Sequence, residues 1–181
     1  MRFPKVLVSE YTDEQRKVAA EIVAGPRGEL RGPFVPLIHS PGLATNIQKL
    51  GEFVRFGSDV PDGALEIAVL MTARKLDCAN IWESHSRLAA KAGVAQETIA
   101  AIAARMPPSG LKDGDADAHT FVGELLARNK VSQSAFERVV ARWGRKGAME
   151  LTGAVGYYSM LAMVLNVAEP QLEPGSVPFG V

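Results

Sequence analysis

Residues 66–85 read EIAVLMTARKLDCANIWESH. The first part of this stretch is apolar nearly all round a helix, which is typical of a helix buried on most sides. The stretch also holds an acid, the only cysteine of the chain, a tryptophan and a histidine. Ionisable groups are costly in apolar surroundings unless they have partners. The stretch therefore predicts both the central helix of the fold and the candidate site.

The spacing of the polar residues favours a site between two helices. If the second half of the stretch is helical, Cys78, Trp82 and His85 share one face. Glu66 meets that face only if two helices form a hairpin near residues 76–77, where a short polar break allows it. A carboxylate beside a histidine orients the imidazole for proton transfer. Glu66 and His85 are therefore the candidate catalytic pair, and Cys78 and Trp82 are candidate substrate contacts.

Each of these residues also has a structural interpretation. Glu66 can simply complement a helix N-terminus, His85 can be a satisfied core histidine, and Trp82 can fill the core. Cys78 can be a small buried hydrophobe, or a reactive thiol whose pKa is lowered in a first helical turn. His39 follows a loop rich in glycine and proline, and it either joins a site or lies in solvent.

Along the rest of the chain, apolar periodicity and helix-stop signals predict about eight helices and no convincing strand. The chain is therefore expected to be all-α. A Gly/Pro-rich loop is expected between Gly25 and Pro41, a surface connection over 110–115, and His119 on the surface. The predicted helices are a first opened by Thr12 and stopped by Gly25-Pro26, a second from Pro41 to Gly57, a third from Pro61, a fourth from about Asp77 or Asn80 to Gly93, a fifth from Gln96 to Arg105, a sixth reaching Asn129, a seventh from Ser132 to Trp143 and an eighth from about Lys146 to Asn166.

Composition predicts a cytoplasmic protein with a small-molecule substrate. The 181 residues are 47% hydrophobic, which suits one domain over 1–181 with a core of about 12–169 and an extended tail over 170–181. Equal numbers of basic and acidic residues, 20 of each, disfavour nucleic acid and anionic membrane surfaces as partners. The N-terminus lacks the apolar region of a signal sequence, and the last long helix is bounded too tightly by charges to span a bilayer.

The single cysteine and the apolar last helix bear on metal binding and on assembly. A single cysteine makes no internal disulfide, and no Cys/His cluster offers zinc ligands, so no metal site is expected. The eighth helix carries more apolar surface than one small domain readily covers, which predicts a homo-oligomer. The residues concerned are Leu151, Val155, Tyr158, Leu161, Ala162 and Leu165, together with Gly153 and Gly156.

Several motifs, spread from about Thr12 to Pro174, resemble carboxymuconolactone decarboxylase-like proteins. The resemblance implies the all-α fold shared with alkylhydroperoxidase D, assembly as trimers or hexamers, and a site between helices often near a subunit boundary. The motifs are Thr12-Asp13-Glu14-Gln15-Arg16, Ile22-Val23-Ala24-Gly25-Pro26-Arg27-Gly28, His39-Ser40-Pro41, the Glu66 helix, Trp82 three residues before His85, and Gly156-Tyr157-Tyr158.

Within that family, the cysteine pattern separates two chemistries. The alkylhydroperoxidase D branch uses a glutamate, a CxxC pair and a downstream histidine. Glu66, Cys78 and His85 match the glutamate, first cysteine and histidine, but Ile81 stands where the second cysteine belongs. Turnover as a peroxidase would then need an outside thiol. The decarboxylase branch lacks the cysteine pair, and it suits this chain better.

The resemblance therefore implies a cofactor-free lyase acting on a small carboxylated lactone or a related compound of aromatic catabolism. In that chemistry His85 is the acid that protonates a dienolate, and Glu66 is its orienting partner. An arginine is needed to hold the substrate carboxylates, and Arg74, Arg87 and Arg55 are the candidates. A one-cysteine thiol peroxidase and a non-catalytic helical binding protein are the alternatives.

Overall fold

The computed structural model describes residues 2–172 and 174–180, among which no strand occurs. In this part of the chain eight α-helices follow a short 3-10 turn at Val8–Glu10. The expected all-α class is confirmed. The helices are α1 (Asp13–Ala24), α2 (Phe34–Leu37), α3 (Pro41–Phe56), α4 (Asp62–Lys75), α5 (Ala79–Lys91), α6 (Gln96–Ala103), α7 (Asp113–Arg128) and α8 (Gln133–Ala168).

These helices belong to two compact units. One unit comprises the described residues up to Gly57 together with Met163–Gln171. The other comprises Ser58–Ala162 together with the described residues from Leu172 onward. The candidate catalytic pair lies in the second unit, whereas His39 lies in the first.

In the first unit, α1 begins as its sequence predicts. The Thr12 hydroxyl accepts a hydrogen bond from the Gln15 amide at 3.2 Å, and the Gln15 side-chain carbonyl accepts one from the Thr12 amide at 2.9 Å. This capping box satisfies two backbone donors that a helix N-terminus otherwise leaves unpaired. Val18 and Ile22 are buried on the face of α1 that packs against α3.

The predicted loop between residues 25 and 41 contains a helical turn, α2, that the sequence did not indicate. Its Phe34 and Leu37 are almost fully buried, and α2 packs against α3. Pro36 is tolerated inside this turn because the first residues of a helix have no intrahelical acceptor for their N–H groups. Burial of two large apolar side chains thus orders a segment that its glycines and prolines mark as irregular.

In the second unit, α4 is the central element. It packs against α5, α6 and α7, so apolar residues are needed on most of its surface. Ile67, Ala68 and Leu70 are completely buried on successive faces. The apolar pattern all round α4 is therefore explained by its packing against three helices.

A tight turn reverses the chain between α4 and α5. Asp77 adopts a left-handed conformation, with φ 50°, and the Cys78 amide donates a hydrogen bond back to the Ala73 carbonyl at 2.9 Å. Asp77 also accepts a hydrogen bond from Arg74 at 2.5 Å. This turn forms the predicted hairpin and places α5 beside α4.

The boundaries of the last two helices differ in part from the expected ones. α7 begins at Asp113, so residues 113–115, expected in a surface connection, form its first turn. Acidic side chains at 113 and 115 favour that position because a helix N-terminus carries partial positive charge. α8 runs through from Gln133, but Gly144 has φ 69° and ψ 178°, which is not helical. The expected break between a seventh and an eighth helix is therefore present as a kink.

The apolar residues of α8 that were expected at a subunit contact lie inside the chain instead. All six large or apolar residues named for an oligomer contact, at positions 151, 155, 158, 161, 162 and 165, are buried within the chain itself. These side chains fill the protein's own core, so they leave no apolar surface for a subunit contact at these positions, and the homo-oligomer stays a prediction. By length and composition α8 could also cross a membrane, with mean hydropathy 1.4 in an 18-residue window. Half of the residues in that window are buried inside the protein.

Candidate functional site

The α4–α5 hairpin brings Glu66 and His85 into direct contact. Glu66 Oε2 lies 2.7 Å from His85 Nδ1, and the two side chains are only 15% and 9% exposed. An ionised carboxylate can only accept hydrogen bonds, so Nδ1 carries the proton of this bond. Nε2 is then the ring nitrogen that remains for proton exchange with another molecule. The predicted contact is confirmed, while its catalytic role stays a prediction.

An aromatic residue of α8, Tyr158, packs against His85. The Tyr158 ring meets the imidazole edge to face, with centroids 4.9 Å apart and planes at 81°. Tyr157 packs against Tyr158 in the same manner at 5.1 Å. The sequence placed Tyr158 in a motif but expected it at an oligomer contact. Its position beside His85 depends on how α8 packs, which local periodicity does not reveal.

The C-terminal segment packs over Trp82. Its indole Nε1 donates to the Gly180 carbonyl at 3.0 Å, and its ring meets Phe179 with centroids 5.8 Å apart. Ser176 also hydrogen-bonds to Glu83, one residue along α5. The face of α5 that carries Trp82 is therefore covered by the protein's own tail rather than open to a ligand, which fits Trp82 as packing better than as a substrate contact.

Cys78 occupies the N-cap position of α5 and is fully buried. Burial raises the pKa of the thiol, and this outweighs the lowering by the backbone amides of Ile81 and Asn80. A raised pKa leaves less thiolate, which is the reactive form. Of the two interpretations of Cys78, the small buried hydrophobe is the one that its full burial supports, because desolvation exceeds the effect of the helix N-terminus.

Arg74 is committed to contacts far from the pair. Its Nε donates to the Ala103 carbonyl at 2.7 Å, and its guanidinium lies 4.4 Å from the centre of the Phe179 ring. Arg74 follows Glu66 by eight residues on α4, which is about 12 Å along the axis at 1.5 Å per residue. A small lactone bound at His85 would therefore not reach the backbone of Arg74. The Arg74 guanidinium already contacts the Ala103 carbonyl and the Phe179 ring.

The other sequence-predicted residues have partners of their own. Among the described contacts, His39 makes no hydrogen bond with Glu66 or His85. Its Nε2 lies 3.0 Å from the Pro4 carbonyl, and its ring packs against Phe3. Arg55 stacks over Phe56 at 5.2 Å. Arg87 is 72% exposed and lies 3.9 Å from Glu83. Among the described contacts, none of the three candidate arginines pairs with Glu66 or His85. Within the described residues, no group of three His, Cys, Asp or Glu side chains is arranged to hold a metal ion.

Comparison with known proteins assigns no family to this geometry. The chain matches no protein-family model, and a search of curated proteins finds no match. The resemblance to carboxymuconolactone decarboxylase-like proteins therefore stays a prediction from the sequence motifs.

Proposed function

We propose that the chain is a cofactor-free lyase that uses Glu66 and His85 to protonate a carbanionic intermediate of a small carboxylated lactone. The observation that carries the proposal is the 2.7 Å contact between the carboxylate and Nδ1 in largely buried surroundings. Such a contact fixes the tautomer of the ring and offsets the charge of an imidazolium. It leaves Nε2 to act as the acid.

The proposed reaction needs one proton and no electron acceptor. Loss of carbon dioxide breaks the bond between the ring carbon and the carboxylate, and the electron pair passes into the ring as a dienolate. His85 Nε2–H gives its proton to the carbon, forming the new C–H bond. Water then returns a proton to Nε2. Glu66 acts throughout as a positioning residue for the imidazole.

A spectroscopic decarboxylation assay on carboxymuconolactone and related lactones tests this proposal. Wild-type protein should turn over at least one compound of the panel. Glu66→Gln should lower kcat by about 10- to 100-fold and shift the pH profile of kcat, because the ring loses its anionic partner. Glu97→Gln, on an exposed position in the first turn of α6, is the matched control and should behave as wild type. Inactivity of the wild type on the whole panel would refute the substrate class.

The thiol peroxidase alternative receives no support from the thiol itself. Cys78 is buried, its pKa is raised, and Ile81 occupies the place of a second cysteine. A buried thiol with little thiolate reacts slowly with peroxides. Robust hydroperoxide turnover that is abolished in Cys78→Ser would nevertheless favour this alternative over the lyase.

The lyase is further proposed to be a homo-oligomer, with the trimer or hexamer implied by the family resemblance. The support is an exposed strip on α8 that carries Met149, 66% exposed, with Gly153 and Gly156, beside which an added Cβ would meet open space. Exposed glycines on a helix allow a second helix to approach closely. Sedimentation velocity at micromolar concentration tests this, and a stable monomer would contradict it.

A further inference from the structure

A separate cavity of about 470 Å³ lies beyond the last turns of α4. Its walls come from the end of α4, from the end of α6 with the residues that follow it, and from α7. Glu66 and His85 are not among its described lining residues. The cavity is therefore a concave surface of the same unit that lies apart from the proposed catalytic pair.

The floor of this cavity is apolar. Ile102 is buried beneath it, and Leu126 on α7 is partly exposed into it. Met71 and Met106 contribute two long thioether side chains, and Met106 is 62% exposed. Methionine side chains adapt their shape to a flexible apolar chain at little cost. The floor thus suits an unbranched hydrocarbon chain.

The rim of the cavity is positively charged. Arg74 and Arg105 both line it, and they share a single counter-ion, Asp77, at 2.5 Å and 2.7 Å. Lys75 is exposed on the same rim and makes no ion pair with any described residue. No acidic side chain is among the described residues that line the cavity. The rim therefore carries a net positive charge that complements an anionic head group.

His119 faces the same cavity from α7. It is half-buried rather than on the open surface, and it has no hydrogen-bond partner among the described residues. Burial lowers the pKa of this imidazole, which favours the neutral ring. A neutral imidazole has one donor and one acceptor nitrogen. An uncharged hydrogen-bonding group is thus present between the apolar floor and the cationic rim.

We propose that this cavity binds a monocarboxylate with a flexible apolar chain, of the medium-chain fatty-acid class. The carboxylate lies at the rim beside Lys75 and Arg105, and the chain lies over Met71 and Leu126. His119 donates a hydrogen bond to the ligand. This binding is independent of the proposed lyase reaction, because the catalytic pair does not line the cavity.

Titration with sodium octanoate tests the proposal, with 1-octanol as the uncharged probe of the same length. Calorimetry measures affinity, and the imidazole resonances of the histidines locate the site. We expect saturable octanoate binding that shifts the His119 signals but not those of His39. Octanol should bind at least tenfold more weakly. Lys75→Gln should weaken octanoate binding about three- to tenfold, whereas Lys91→Gln, an exposed lysine at the end of α5, should leave it unchanged.

A cavity-filling variant separates this site from the others. A Cβ at Gly123 meets only the flexible end of Met71, at 3.5 Å, and Gly123 lines the cavity, so the larger side chain of Gly123→Leu should occupy part of its volume. It should abolish octanoate binding and leave lactone turnover unchanged. No saturable binding, equal affinity for octanol, or equal effects of Lys75→Gln and Lys91→Gln would each overturn the proposal. A change in sedimentation with Gly123→Leu would instead show that a second copy of the chain covers this surface, which also overturns it.

Discussion

Replacing Glu150 should remove the contacts that tie α8 to the segment leading into α4. The buried carboxylate accepts hydrogen bonds from the Ser58 hydroxyl and the Asp59 amide, each at 2.9 Å, and forms an ion pair with Lys146 at 3.0 Å. A hydrogen bond to a charged group contributes about 1.5–3 kcal/mol. Without the carboxylate the Asp59 amide loses its acceptor, whereas the Ser58 hydroxyl can turn toward solvent and regain a partner. We therefore expect Glu150→Ala to lower the free energy of unfolding by about 2–4 kcal/mol.

Glu150→Gln separates the charge from the shape of this side chain. It keeps the size and one acceptor oxygen, so we expect a loss of about 1–2 kcal/mol at pH 7. Burial opposes ionisation of Glu150, but hydrogen bonds from the Asp59 amide, Lys146 and Ser58 outweigh it and hold the pKa below its usual range. The contribution is therefore fully present above the unfolded value, about 4.3, and is lost as pH falls through the lower value of the folded state.

The assay is urea unfolding of wild type, Glu150→Gln and the exposed control Glu97→Gln at pH 7 and in a series below pH 4.5, at one protein concentration. The stability difference between wild type and Glu150→Gln should shrink as the pH is lowered. The control should show no comparable trend. An equal difference at neutral and at the lowest pH would refute the argument that the ionised carboxylate makes the stabilising contacts.

Two further predictions concern the burial of Cys78 and the backbone conformation of Gly144. Because Cys78 is buried and its pKa is raised, a thiol reagent should modify it at least about 100-fold more slowly in the folded protein than in urea, and equal rates would contradict its burial. Gly144→Ala should cost about 1–3 kcal/mol, because φ 69° with ψ 178° is open almost only to glycine. Gly42→Ala, at an exposed helical position with open space around it, is the control and should be neutral or stabilising, as urea unfolding would show.

Much of the fold follows from local patterns in the sequence. The capping box at Thr12, the all-round apolar pattern of α4 and the breaks at Gly57 and Gly144 are decided within a few residues of each position. The contact between Glu66 and His85 could also be predicted, because a short break after an apolar helix leaves few geometries other than a hairpin. These features do not depend on distant parts of the chain.

The parts that could not be predicted depend on contacts between residues far apart in sequence. α2 forms because Phe34 and Leu37 find a buried place, although breakers surround them. Trp82 is covered by Phe179, 97 residues later, and Tyr158 reaches His85 from the last helix. The half-buried position of His119 beside the cavity at the end of α4 likewise depends on α4 and α6, which its polar neighbours in sequence do not reveal.

The most direct test of the central claim is kcat of His85→Gln relative to wild type on a lactone that the wild type decarboxylates. Circular dichroism and KM serve as controls for folding and substrate binding. If His85 Nε2 gives the proton to the dienolate, kcat should fall by about 100- to 10,000-fold with KM little changed, the usual range for loss of a general acid. A variant with correct fold and kcat within about twofold of wild type would contradict the account.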